Sequence, residues 1–269
     1  MNDLWNRWYN KTPVLFEIVK QLRGRETCFM RGSSDTERAI IVRCLKCHKV
    51  VFLKNNFYNW GFFKDKLNVY RSIGLFYGMP MFSYNPVKKK QEQAKFLEES
   101  EKYVVGYDLV ADFDAHNVSI AKAHNDAKEY KKLLEQYKVP YAVIFSNSGF
   151  HFEIEHKFLV EFEPDPLKLC SRIKTLMENF KKFYFLDTLD TGIYGSPRQQ
   201  WRVAYSCDPK TLRVCYPLND QQFDNFSLKM VKVQNIGDVK NRGLLTRTYG
   251  LDTVRLTRNT TKFLKEAII

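Results

Sequence analysis

Two hydrophobic periods divide the middle of the chain into elements. The run Val104-Val105-Gly106-Tyr107-Asp108-Leu109-Val110-Ala111-Asp112-Phe113-Asp114 is an apolar stretch that predicts a strand and closes on two aspartates. A strand places residues i and i+2 on one face, so Asp112 and Asp114 point together, with Asp108 and Val110 earlier on that side. Tyr141 to Ile154 predicts a hairpin: an apolar strand, a small polar turn at Ser146-Asn147-Ser148-Gly149, then a strand with Phe150, Phe152 and Ile154 on one face and His151 and Glu153 on the other. Between them, Ala123, Ala127, Tyr130, Leu134 and Tyr137 recur at helical spacing and form an apolar stripe. Asp165-Pro166 opens a second helix, with Leu169, Ile173, Leu176, Met177 and Phe180 toward the core. Upstream, Thr12 to Lys20 reads as a short helix with threonine near the cap and proline in its first turn, and Ala39 to Leu53 is β-rich. This order of strand, helix, strand, strand, helix and further strands predicts an α+β fold.

Composition narrows the class. A chain of 269 residues can bury a full core, and without an apolar run of eighteen residues no membrane span is expected. The Met-Asn-Asp-Leu-Trp start lacks a charged-then-apolar leader, so an intracellular, non-secreted protein is expected. The net charge of +13 is unevenly spread: residues 1 to 100 carry 18 Lys and Arg against 9 Asp and Glu, residues 101 to 220 carry 16 against 17, and residues 221 to 269 carry 9 against 4. A near-neutral centre between basic flanks suits an enzyme that handles polyanions, although basicity alone also fits a generally basic protein. The cluster Phe57 to Phe63, beside Lys54, Lys64 and Lys66, is read as core aromatics with base stacking as the alternative, and Lys88-Lys89-Lys90 as a solvated loop. Six cysteines in a leaderless chain imply reduced thiols. Cys44 and Cys47 have the spacing of half a zinc site, with Cys28 a distant third ligand, but no second local pair accompanies them, so plain thiols are the default.

The candidate chemistry lies in three segments. Paired carboxylates such as Asp112 and Asp114 are costly to bury unless a divalent metal neutralises them, whereas the plain alternative makes Asp114, His116 and Asn117 turn formers. The Ser146 to Gly149 turn offers hydroxyls and approachable backbone N–H groups, and His151 adds a donor, which suits a phosphate; a polar hairpin with a satisfied surface histidine is the alternative. Asp190, followed by a Gly/Pro loop and an expected strand bearing Arg198 and Arg202, would add a third carboxylate and phosphate-pairing guanidinium groups, or Asp190 simply caps its turn.

Taken in order, these segments resemble the catalytic core of the archaeo-eukaryotic primase superfamily, the small (catalytic) primase subunit in particular. The likeness covers about residues 67 to 218: Asp112 and Asp114 ending a strand, Ser146 to His151 as a serine turn leading into Gly-aromatic-His, then Asp190, Arg202 and Ser206. The resemblance implies an α+β primase core of mixed and antiparallel sheets flanked by helices, over residues 67–220, with an N-terminal extension at 1–66 and a basic C-terminal extension at 221–269. It implies a template-directed nucleotidyltransferase, a DNA primase or primase-polymerase, in which Asp112, Asp114 and Asp190 hold two Mg²⁺ or Mn²⁺ ions and Ser146, Ser148, His151 and Arg202 bind the phosphates of an NTP or dNTP. Single-stranded DNA template and a large primase subunit or helicase are the implied partners, with no membrane. This sequence departs from the family in having no cysteine between Cys47 and Cys170, Asn147-Ser148 where a basic residue is common, and Gln199 where a basic residue or histidine is common. A repair or end-joining polymerase of the same superfamily and a nucleic-acid-binding module with degenerate catalysis are the alternatives.

Overall fold

A computed structural model describes residues 2–31, 67–77, 98–116, 118–208, 210–237, 239, 244 and 246–266. Cys44, Cys47, the β-rich stretch 39–53, the aromatic cluster 57–63 and Lys88-Lys89-Lys90 lie outside these residues. In chain order the elements are α1 (Asn2–Tyr9), α2 (Thr12–Leu22), β1 (Thr27–Arg31), β2 (Leu67–Ser72), β3 (Gly74–Phe76), β4 (Val104–Tyr107), β5 (Leu109–Asp114), α3 (Ile120–Gln136), β6 (Ala142–Phe145), β7 (Gly149–Ile154), α4 (Pro166–Phe183), β8 (Gln200–Arg202), β9 (Tyr216–Leu218), α5 (Asp220–Asp224) and α6 (Thr253–Glu266). The fold is mixed α+β, with small antiparallel sheets and helices. Among the described residues, no helix is long and apolar enough to cross a membrane.

The chain divides into two compact units, each assembled from separate segments. One comprises residues 1–105, 200–215 and 227–243, the other 106–199, 216–226 and 244–269. In the first, β2 lies between β1 and β8 in an antiparallel sheet. The buried Trp8 donates its indole N–H to the Tyr205 carbonyl at 2.9 Å, and Ser206 Oγ accepts the Val69 N–H at 3.0 Å. Helix α2 carries Pro in its first turn as expected, but Lys11 rather than Thr12 is its N-cap, and no side chain caps it.

The second unit is built on a four-stranded antiparallel sheet in the order β5-β7-β6-β9. One face is apolar, and there Phe113, Phe152, Tyr130, Phe180 and Phe223 meet edge-on or tilted at centroid distances of 5.4 to 5.9 Å, geometry that suits the aromatic quadrupole. Helix α3 buries Ala123, Ala127, Tyr130 and Leu134 of its expected stripe, while Tyr137 falls at the C-cap and is half-buried; Ser119 accepts the Lys122 N–H as the N-cap. Helix α4 buries Leu169, Ile173, Leu176, Met177 and Phe180, and Asp165 caps it by accepting the Leu167 and Lys168 N–H groups. Each fully buried aromatic of this kind contributes on the order of 2–3 kcal/mol of transfer free energy, so this face sets the sheet's position.

Candidate active site

The opposite face of the same sheet carries the acidic residues. In the β5–β7 register Asp112 stands across from His151 and Asp114 from Gly149. On the other edge of β5, the segment 188–190 adds a short antiparallel bridge between Phe113 and Leu189. Asp114 N–H donates to the Thr188 carbonyl at 2.9 Å, and Asp190 N–H donates to the Asp112 carbonyl at 2.8 Å. Because directly opposed residues of an antiparallel pair share a face, Asp190 joins Asp112, Asp114 and His151 on it, with opposed Cβ atoms expected about 5 Å apart. The three aspartates named from the sequence are therefore neighbours, although the last two are 76 positions apart in the chain.

Each carboxylate has a local partner. Asp112 Oδ1 lies 3.2 Å from His151 Nε2, both side chains being largely buried. Asp114 Oδ1 accepts the His116 N–H at 3.1 Å, and its other oxygen meets the His116 ring at Nδ1. Asp190 Oδ1 accepts the Gly192 N–H at 2.8 Å. Asp114 and Asp190 are thus turn formers as well as sheet residues. Among the described residues, no three His, Cys, Asp or Glu side chains converge on one point in a way that could hold a metal. Asp108 is spent elsewhere: it is buried and accepts the His156 N–H at 2.9 Å, opening a single 3₁₀ turn.

The Ser146–Gly149 turn is tight for a packing reason. Asn147 takes φ of 95°, Ser146 N–H donates to the Gly149 carbonyl at 2.9 Å, and Ser148 O accepts the Ala115 N–H at 3.1 Å. A Cβ on Gly149 would overlap the Phe113 carbonyl oxygen, so only glycine lets β7 approach β5 here. His151 and Glu153 do face away from Phe150 and Phe152, but they are buried, which replaces the reading of a surface histidine.

Arg202 belongs to the first unit and the aspartates to the second. Its Nη2 donates to the Tyr70 hydroxyl at 2.9 Å, its guanidinium lies 5.4 Å from the Tyr70 ring centre, and Asp208 is 4.0 Å away. The strand expected to hold both Arg198 and Arg202 is shorter than the sequence suggested. Only Gln200–Arg202 pairs with β2, Arg198 sits in the turn before it, and Tyr205 with φ of 71° turns the chain before Ser206.

Three supporting residues escaped the sequence reading. Asp126, on α3, accepts the Thr188 N–H and Oγ1–H at 2.9 Å each and so ties the Asp190 segment to the helix. Tyr194 donates to the Val110 carbonyl at 2.7 Å and fastens the loop after Asp190; burial first, and then nearby groups including Asp112 and Asp190, push its hydroxyl pKa well up. Lys181 donates to the Leu189 carbonyl at 2.7 Å. A polar residue within an apolar helical stripe was the available signal for Asp126; the other two carry none. Asp114, His116, Val118, Lys181, Asp187, Thr188, Leu189 and Asp190 line a cleft of about 460 Å³ beside two of the aspartates.

No protein-family model and no curated protein matches this chain.

Proposed function

We propose that the second unit is the catalytic core of a template-directed nucleotidyltransferase of the archaeo-eukaryotic primase kind, making or extending primers on single-stranded DNA from NTPs or dNTPs. The observation that supports it is the placement of Asp112, Asp114 and Asp190 on one face of one sheet, beside an open cleft. Three carboxylates on one face would suit Mg²⁺ or Mn²⁺, which prefer hard oxygen donors, once Asp114 and Asp190 turn from the local N–H groups that they accept. Asp112, Asp114 and Asp190 would hold the ions. When bound, such ions neutralise the triphosphate and acidify the attacking 3′-hydroxyl.

The chain's own residues position these groups. His151 orients Asp112 from across the strand pair, while Asp126 and Tyr194 anchor the segment that bears Asp190. Ser146 and Ser148 offer hydroxyls at the hairpin turn for the nucleotide phosphates. His151 is assigned to the same phosphates. Catalysis then rests on alignment and fixed charge, with no protein nucleophile.

A second reading, a nucleic-acid-binding module without catalysis, draws on the turn hydrogen bonds that already occupy Asp114 and Asp190. One assay separates the two: labelled nucleotide, single-stranded template, with and without primer, in Mg²⁺ and in Mn²⁺. Metal-dependent product that disappears with Asp112→Asn supports the enzyme. Template binding with no incorporation in either metal supports the module.

A further inference from the structure

Helix α4 ends in a way that its own packing does not require. Leu186 N–H donates back to the Lys181 carbonyl at 3.1 Å and Tyr184 N–H to the Phe180 carbonyl at 3.0 Å, which closes the last turn. The residue between them, Phe185, takes φ of 54°. This left-handed position at a helix end normally goes to glycine, because a side chain there crowds the following backbone. A bulky residue can recover that cost by packing, as Tyr205 does, which is also left-handed but only 1% exposed. Phe185 recovers nothing, since its side chain is 80% exposed.

Its neighbours in the chain are rings and cations, with the exposed Asp187 two residues further on. Phe183 is 53% exposed, and Tyr184 is stacked on the buried Phe180 at 5.6 Å and 29°, which anchors the turn to the core. Lys182 is exposed, and Lys181 reaches the cleft that also holds Asp187, Leu189 and Asp190. Cations are favoured at any helix C-terminus, which accounts for the lysines but not for the exposed rings. Strain at a bulky, unpacked residue beside a candidate site is a mark of function.

We propose that Phe183 and Phe185, with Lys181 and Lys182, form a stacking platform for single-stranded nucleic acid that leads the strand to the cleft at Asp190. The choice of partner rests on the nucleotidyltransferase reading. Every base offers a π-face to an exposed ring, and the lysines meet the phosphates, so the surface would be tolerant of sequence. A protein partner would find the same rings attractive, but two adjacent lysines fit a polyanion better.

The test uses the full chain with a fluorescent oligothymidine, measured by anisotropy at one fixed salt concentration alongside thermal melting. Phe185→Gly should melt at the same or a higher temperature, because it relieves the left-handed strain, and yet bind about 5-fold or more weakly. Phe185→Trp should bind at least as well as the native chain, and Phe183→Ala should lose affinity as Phe185→Gly does. Unchanged affinity in Phe185→Gly, or a clear drop in its melting temperature, overturns the platform. Primer extension is scored separately. If the native chain binds through Phe185 but never extends, the platform stands and the catalytic reading fails; normal extension and normal binding by Phe185→Gly give the reverse.

Discussion

The Asp190 backbone N–H donates to the Asp112 carbonyl at 2.8 Å, and this single ladder bond places the third acidic residue opposite the first. Their side chains therefore share a face and repel each other, with only Asp112 drawing on His151 for relief. Asp112→Asn and Asp190→Asn should each abolish nucleotide incorporation while the melting temperature stays equal or rises, because loss of one charge relieves the repulsion. Near-normal incorporation by either variant, with native circular dichroism, would remove the metal-binding assignment.

Gly149→Ala tests the other side of β5. The added methyl would overlap the Phe113 carbonyl oxygen on a strand buried on both faces, so β5 and β7 must separate. The expected loss is roughly 2–4 kcal/mol by chemical denaturation. An unchanged denaturation midpoint would mean that the turn tolerates a side chain and that glycine is there for a ligand.

Tyr70 and Arg202 should behave as a coupled pair. The guanidinium is largely buried and donates to the Tyr70 hydroxyl through both Nη2 and Nε. A double-mutant cycle of Tyr70→Phe and Arg202→Lys should return a coupling of about 1 kcal/mol in stability. Additive effects on stability, with a raised apparent KM for nucleotide in Arg202→Lys alone, would assign the arginine to phosphate binding instead.

His124 gives the second unit an acid limit. Its ring stacks on Phe150 at 4.9 Å, and its Nε2–H donates to the Phe223 carbonyl at 2.7 Å. Burial lowers its pKa below the ordinary 6.5, so the folded chain resists a proton that the unfolded chain accepts. The stabilisation is complete above about pH 6.5 and declines as the pH falls toward the lowered folded value. His124→Gln, which cannot take the proton, should show a shallower loss of stability over that window in pH-dependent denaturation. An unchanged slope would place the acid sensitivity elsewhere.

Local pattern was enough for β5, α3, the β6–β7 hairpin and α4 of the second unit, whereas β9, α5 and α6 were not read from it. The helical spacing of Ala123, Ala127, Tyr130 and Leu134, the Asp165-Pro166 cap and the alternation of Phe150, Phe152 and Ile154 all act within a few residues of one another, where periodicity states which face is buried. The same alternation put Asp112 and Asp114 together. Pattern could not say that His151 and Glu153 are buried, since alternation marks two faces without telling which of them meets water.

What the tertiary structure alone decided is long-range pairing. That Asp190 joins the other two aspartates depends on residues 188–190 bridging to β5, held by Asp126 from α3, Tyr194 from the following loop and Lys181 from α4. Each is a hydrogen bond between positions distant in the chain, and no spacing rule carries such a contact. The smallness of Gly149 reads in sequence as room for a phosphate, and only the approach of the Phe113 carbonyl assigns it to packing. Sequence settles what a residue's neighbours in the chain can settle; which strands lie side by side depends on the burial of whole faces, and that is a property of the folded molecule.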